Sequence, residues 1–324
     1  MSQLKRQDMI EGMKATAYEY FLDAKEYSPE PSVYDKIADI RTSGKAYEQA
    51  TSVVEDTDPS EREEGAAMEP IKPIEGFTTY AKMRNYYKMI EVTRETAEDH
   101  QKFKSFMSTI TSGWANAMIR GTNKLVLSHF NKGGLTAGDA LFNQSKTGVL
   151  TDPSGALCYD GKPLFNLTNN KRTSKGGGEY YNAIAETLSA ANFKTLYNLM
   201  TVTNAKNEDD SEIEIRPNLL LVNGALNFTA RTLLESTLLP GGANNDKNVL
   251  EGIVGLVSTN YFTPSTGWVL MEAKKGLILY QRETEVIDVW YDHKHKLYLS
   301  SIEHRKGVMI KNFRFFGGSN IATS

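Results

Sequence analysis

The chain has 324 residues, 40% of them hydrophobic and 24% charged, which supplies a sizeable core, gives a prior of about two domains and excludes wholesale disorder. One cysteine, Cys158, rules out an intrachain disulfide and a cysteine-based zinc site, and with no apolar run near the roughly 18 residues of a membrane span and a polar N-terminus unlike a signal peptide, the expected setting is soluble and cytoplasmic. The net charge of −3 divides into 13 Lys/Arg against 21 Asp/Glu in residues 1–100 and 24 against 19 in residues 101–324, a balance that argues against a dedicated nucleic-acid reader and fits self-association or plain solvated faces equally.

Residues 1–42 read as an arm. Met9, Met13, Ala17, Tyr20 and Phe21 recur at helical spacing. Pro29 and Pro31 break that pattern, because each removes a donor and fixes φ. A second short helix is expected from Val33 to Ile40. Such an arm has few ways to bury its apolar face on its own and is expected to pack on something else, another subunit included. Residues 43–92 hold an acidic centre, Glu55 to Gly65, without an aliphatic side chain. Phe77, Thr79, Ala81 and Met83 alternate on one face, and Tyr87, Met89 and Glu91 continue an extended pattern. A long β-hairpin excursion with an acidic tip and a disordered surface loop both fit.

The clearest periodicity follows. Phe103, Phe106, Met107, Ile110, Trp114, Ala117, Met118, Gly121 and Leu125 form one helical stripe within residues 93–131. Thr93 is placed to cap the start and Gly133-Gly134 to stop the end, for a helix of about 55 Å. Residues 134–186 read as loops with short strands, and Ser189 caps a helix carrying Phe193, Leu196, Tyr197 and Met200. Strands are expected at Ile213 and Ile215, Leu219 to Val222, Ile253 to Ser258, Trp268 to Met271 and Leu277 to Tyr280, with a helix from Leu226 to Leu239 closed by Pro240-Gly241-Gly242. Residues 286–316 read as a last antiparallel set.

Chemistry is sparse. His293 and His295 share a strand face, and His304 across a hairpin would complete a three-histidine zinc site; solvent-facing residues around a turn are the ordinary reading. Lys175-Gly176-Gly177-Gly178, beside Lys171 and Arg172, lacks the Lys-Ser/Thr of a phosphate loop and reads as a flexible basic loop. There is no GxSxG elbow. Cys158 reads as an incidental buried residue, and Asp209-Asp210 and Glu63-Glu64 as solvated charge. An arm, a projecting loop and a long helix are devices for assembly, and no enzyme and no cofactor are expected.

The order of these elements resembles the major capsid proteins of tailed bacteriophages, the Hong Kong 97-like capsid fold, from about Val33 to Phe316. The segments that carry the likeness are Tyr86 to Glu95 leading into the long helix, Asp160-Gly161-Lys162-Pro163-Leu164-Phe165, Arg216 to Val222 and Gly267-Trp268-Val269-Leu270. They are similar to Mu-like head subunits in particular. The resemblance implies an α+β fold. It divides the chain into an N-terminal arm (1–42), an extended loop (43–92), a peripheral domain with a spine helix (93–205), an axial domain (206–289) and a C-terminal return (290–324).

It also implies hexamers and pentamers that close into an icosahedral shell around double-stranded phage DNA, a virion location and assembly in the host bacterial cytoplasm. The extended loop of one copy would lie over its neighbour's spine helix. The inter-subunit candidates are then Glu61, Arg62, Glu63 and Glu64 on the acidic tip, with Lys102, Lys104 and Arg120 on the spine helix as their basic partners. The partners implied are the chain itself, portal, scaffolding and possible decoration proteins and packaged DNA, with no membrane. A modest basic excess in residues 161–206 suits non-specific phosphate contact. No lysine lies between Asp56 and Gly65, so no covalent cross-link is expected. No long, charged helical extension precedes the arm, so a separate scaffold is expected. An encapsulin-like compartment shell is the alternative within this fold, and a metal-dependent enzyme using His293, His295 and His304 the alternative outside it.

Overall fold

The computed structural model describes residues 14–17, 19, 21–23, 30–54, 61–62, 64–65, 74–95, 103–131, 158, 164–238 and 247–321. Two sheets and one long helix organise them. The four-stranded sheet has the order β1 (Asp39–Thr42), β11 (Leu277–Asp292), β12 (Leu297–Ile310), β4 (Arg84–Thr93). β11 and β12 form a long antiparallel hairpin, closed by a turn at residues 293–296. β1 joins β11 in parallel, and β4 joins β12 antiparallel from Arg84 opposite Lys306 to Thr93 opposite Leu297. The five-stranded sheet has the order β7 (Ala183–Ile184), β13 (Phe316–Ser319), β10 (Trp268–Met271), β8 (Leu219–Val222), β9 (Gly255–Ser258).

The continuous apolar runs at β8 and β10 follow from burial on both faces. Leu221, Val269 and Met271 enter a core shared with Leu277, Leu279, Val308 and Ile310 of the other sheet. Their alternating neighbours Leu220, Val222, Trp268 and Leu270 enter a second core. There they meet α3 (Ala190–Asn198) and α4 (Asn227–Glu235) through Phe193, Leu196, Leu233 and Leu234. Ser189 caps α3 as expected, its hydroxyl accepting from the Asn192 amide at 3.2 Å. α4 ends at Glu235, short of the expected Leu239, and Pro240 to Gly242 lie outside the described residues. Residues 213–215 form no strand; Glu212 makes only an isolated bridge to Lys206.

The helix α2 (Phe103–Asn131), 29 residues and about 44 Å, spans the inner face of the four-stranded sheet. Its C-terminal half places Val126, Leu127 and Phe130 in the shared core, while Trp114, Ala115 and Met118 meet Ile287 and Ile302. Gly121, expected on the buried stripe, is exposed, and the buried face takes Thr122 and Asn123 instead. Thr93 ends β4 with residues 94 and 95 already helical, and Gly133-Gly134 lie outside the described residues.

The arm folds back on its own chain. Ala17 and Phe21 are buried against Trp114 and Met118. The expected second helix is shorter, α1 (Tyr34–Ile37), and Ile40 belongs to β1 because its backbone pairs with Leu279. Asn123 secures this region: its side-chain oxygen accepts from the Val33 and Tyr34 amides at 2.9 and 3.1 Å, and its amide donates to Pro31 at 3.0 Å.

Strand pairing also shows where sequence ranges and sheets part. β11 starts inside residues 206–289 yet lies in the four-stranded sheet, and β13 lies inside 290–324 yet pairs with β10.

Candidate functional site: the assembly surfaces

β2 (Tyr47–Val54) and β3 (Ile74–Lys82) form an antiparallel ribbon of their own, so the hairpin reading of residues 43–92 holds there. Its root is anchored. Ala81 is fully buried with Ile278, Tyr280 and Met309, on the sheet face opposite the shared core. Gln49 and Thr51, further out on β2, are exposed. Met83 stands between strands rather than in one, and β4 turns away from the ribbon to pair with β12. On β4 the inward residues are Tyr86, Ile90 and Val92, while Tyr87, Met89 and Glu91 face out.

The candidate contact residues fall as follows. Glu61, Arg62 and Glu64 are exposed beyond β2, and Glu63 and Lys102 lie outside the described residues. Lys104 lies in α2, and Arg120 is exposed on it. Within the single chain neither Glu61 nor Glu64 pairs with Arg120. Arg120 sits instead near Tyr261, whose hydroxyl donates to Glu30 of the arm. Burial first, then the Glu30 carboxylate, raise the Tyr261 pKa, and the Arg120 charge opposes them.

Under α2 lies a polar cluster that periodicity does not reveal. Lys306 on β12 is only 2% exposed. Its ammonium donates to Thr122 of α2 at 3.0 Å and to Glu285 of β11 at 3.2 Å. Glu285 stands where two register shifts break the β11–β12 ladder, and His304 Nδ1 is 3.9 Å from the same carboxylate oxygen. Tyr86 of β4 packs against His304, the rings tilted and their centroids 5.7 Å apart. A buried charge is tolerated where partners surround it, so this cluster ties α2 to three strands.

These positions overturn the three-histidine site. His304 is buried in the sheet. His293 and His295 are in the exposed 293–296 turn, and from there to His304 runs about 23 Å of strand. His295 Nδ1 meets Asp292 at 2.5 Å, and His293 packs edge-on to Tyr291. Among the described residues no group of three or more His, Cys, Asp or Glu is arranged to hold a metal.

The glycine-rich loop, which joins the paired short strands β5 (Arg172–Thr173) and β6 (Glu179–Tyr180), is not a free basic loop. It wraps a carboxylate from elsewhere in the chain. Asp210 accepts from Ser174 and Tyr180 hydroxyls at 2.6 Å each and from the Gly178 amide at 2.9 Å. A Cβ on Gly176 or Gly178 would fall 2.4 or 2.6 Å from Asp210 oxygens, which is why glycine stands there. Asp210 itself adopts φ +66°, a conformation an aspartate accepts more readily than most residues. Partial burial pushes the Asp210 carboxyl up, but the three donors and the nearby Arg314 charge outweigh it and hold its pKa below the usual range. Burial and the same carboxylate push the Tyr180 hydroxyl up to about 12. Arg314, itself buried, pairs with Glu208 at 2.5 Å, and Arg172 lies over the Phe313 ring at 4.4 Å. Asp210, read from sequence as solvated charge, is therefore a structural clamp.

The geometry so far is a scaffold with projecting parts. Residues 76–319 match the model of the family described as phage capsid protein. The chain belongs to the phage capsid protein family.

Solved structures agree on the fold of this capsid protein. It is similar to the capsid of an empty GTA particle (12% identity, TM-score 0.54, covering 90% of each chain). It is similar to the capsid of the cyanophage P-SCSP1u (8% identity, TM-score 0.53, covering 91% of this chain and 89% of that one). It is also similar to a virus-like particle from Pyrococcus furiosus (10% identity, TM-score 0.51, covering 94% and 98%). No curated protein matches it significantly. The mixed helix-and-sheet architecture expected on the Hong Kong 97 pattern is the one observed. The capsid protein is a structural protein that self-assembles into the shell of the virion.

Among the described residues several large apolar side chains are exposed. Tyr87 and Met89, 71% and 47% exposed, lie side by side on the outer face of β4. Phe228 on α4 is 80% exposed, and Val202, Val249 and Ile253 are exposed as well. Sequence reasoning noted Tyr87 and Met89 only as an extended pattern and took no notice of Phe228. An aromatic at the start of an otherwise amphipathic helix was the signal available for it. For the clamp and the buried cluster no local signal existed, since their partners lie 30 to 36 and 21 to 184 residues apart.

Proposed function

We propose that this capsid protein forms hexamers and pentamers that close into an icosahedral shell around double-stranded DNA, assembled in the host bacterial cytoplasm. Its sequence segments are similar to those of Mu-like head subunits. The observation that carries the reading is the family match over residues 76–319 together with a chain that projects a β-ribbon from a rigid sheet-and-helix body. A body of this kind suits a shell held by many modest contacts between identical copies. Portal and scaffolding proteins are the further partners, and DNA contact is non-specific, through phosphates. The ranges 93–205 and 206–289 serve as peripheral and axial domains.

Glu61, Glu63 and Glu64, with Arg62 among them, form the acidic side of one inter-subunit contact, and Lys102, Lys104 and Arg120 are candidates for its basic side. Without a lysine between Asp56 and Gly65 the shell carries no covalent cross-link at the hairpin tip.

The deciding experiment is electron microscopy of the purified protein, expressed with and without the neighbouring genes. Uniform closed shells, or rings that join into them, support the reading, and a monomer under all conditions overturns it. A compartment shell is the second reading, favoured by the likeness to a virus-like particle. Nucleic acid inside shells made in the phage context, against a protein cargo, separates the two.

A further inference from the structure

The 29 residues of α2 include Lys104, Arg120 and Lys124 and no Asp or Glu. Surface helices commonly pair opposite charges at i, i+4, and α2 has no acid with which to do so. Its side turned away from the sheet runs through Gly113, Asn116, Ala117, Arg120, Gly121 and Lys124, all exposed or half-buried. Glycine weakens a helix relative to alanine. Yet a Cβ on Gly113 or Gly121 would meet nothing within 4 Å. Among the described residues no contact asks for either glycine. What the two provide is a smooth surface on which a body outside the subunit can approach the helix backbone.

Charge names the body. Beside Gly121, α2 and β4 leave a cleft of about 140 Å³, lined in part by Ala117, Leu125, Tyr86 and Lys88. Lys88 is exposed and stands opposite Ile302 in the ladder, so it lies on the α2 side of the sheet. Lys124 is exposed about one turn beyond Gly121. Neither lysine has a carboxylate partner among the described residues. Arg120 has part of its charge offset by Glu30, which Tyr261 holds near it. The other side of the sheet has the opposite sign. Glu91, Asp288 and Glu303 face away from α2, where Lys14 engages Asp288 and Glu283 engages Arg305. A wall with one cationic, acid-free side and one acidic side draws a polyanion to the first.

We infer that the exposed face of α2 is the surface against which packaged duplex DNA lies, its phosphates meeting Lys124 and Lys88 across the Gly113–Gly121 stretch. This rests on the shell reading above and names the residues that touch the contents. Phosphate contacts of this kind carry no sequence information. Two lysines in each copy hold the duplex weakly at any one point, so it can slide as it enters, and the contact adds up over many copies.

Two measurements on the full-length chain test it. In the first, a short mixed-sequence DNA duplex is titrated against free subunits over a range of salt. The double variant Lys88→Gln, Lys124→Gln is expected to lower the slope of log affinity against log salt by about two per bound subunit. Gly121→Gln, which keeps both lysines and roughens the surface, is expected to lose affinity at an unchanged slope. In the second, DNA-filled and empty heads are acetylated and read by mass spectrometry. Lys88 and Lys124 are expected to be protected in filled heads and reactive in empty ones. Equal protection in empty heads would put another copy on this face, and equal reactivity in both would put the face outside the DNA. Either result, or an unchanged slope in the double variant, would overturn the inference while heads that close and fill leave the shell reading standing. Micrographs showing no heads in any sample would remove the shell reading, and this inference with it.

Discussion

The molecule contains two long β-hairpins that differ in what completes them. β11–β12 lies in the middle of its sheet, with β1 on one side, β4 on the other and α2 across its inner face. Among the described residues β2–β3 meets the body at its root, through Ala81 and Ala50 against Ile278, Tyr280 and Met309. The first hairpin draws its stability from its own chain. The second has an acidic sequence at its tip and exposed polar residues on β2, and on the proposed reading its partners are other copies. Damage to the first should reach the fold, and damage to the second should reach assembly.

The largest expected effect tests that contrast directly. Thr51 and Thr78 are paired across the ribbon, so residues 52–77 can be replaced by a two-residue Asn-Gly turn. The shortened chain is expected to keep its circular dichroism and melt within a few degrees of the full chain, yet form no closed shells in micrographs. Loss of the fold would show that the ribbon supports its own subunit.

On the other hairpin, Ile302→Ala removes a fully buried side chain facing α2 and should cost about 2–5 kcal/mol in denaturant unfolding. Glu285→Ala strands the Lys306 ammonium and should cost about 3–5 kcal/mol. A double change to Glu285→Leu and Lys306→Met should recover much of it. If the double variant were as unstable as the single, the ion pair would be no more than a packing element.

His129, buried on α2, sharpens the comparison by pH. Burial first lowers its pKa from 6.5 to about 4, against the pull of hydrogen bonds to the Leu125 and Val126 backbone. Its neutral form is the one that folds, and the unfolded chain binds the proton first. Stability is therefore present above pH 6.5 and falls as pH drops toward about 4, by about 3 kcal/mol in all. His129→Asn should flatten that slope in unfolding measured between those two values.

Asp210→Ala is expected to cost about 1–3 kcal/mol by leaving the Ser174 and Tyr180 hydroxyls without their acceptor, with Asp210→Asn milder. Because the folded-state carboxyl pKa is depressed, the clamp's contribution holds above the usual carboxylate range. It is lost as pH falls through the lowered value, so the two variants should converge on the unsubstituted chain in acid. The smallest effect on folding belongs to charge reversal at Glu61, Glu63 and Glu64. Subunit stability should shift by less than about 0.5 kcal/mol, while the salt dependence of shell assembly changes. An unchanged salt dependence would remove the acidic tip from the contact.

Elements whose signal is local were legible. α2, β8, β10 and the Ser189 cap follow from periodicity, from unbroken apolar runs and from one hydroxyl at the right offset. Ile40 was misread because parallel pairing with β11 overrode a helical pattern that had only four residues to persuade with. Leu277 to Tyr280 read as a short strand because the bulged, partly polar stretch after it hides a strand that runs to Asp292. The histidines looked like a set only while their separation along β12 was unknown. The candidate contact residues were chosen by charge, and charge names a sign, not a partner.

Sequence alone determined the order of the main elements, the presence of the long central helix, the strands β8 and β10 and the acidic character of residues 55–64. Each rests on spacing or composition within a few residues. Only the tertiary structure decided which strands share a sheet, that Asp210 fills the glycine loop, that Lys306 is buried under α2 with Glu285 beside it and that, among the described residues, β4 is the last strand of its sheet. Those depend on groups far apart in sequence, and their pairing energies appear only once the chain has brought them within a few ångströms of each other.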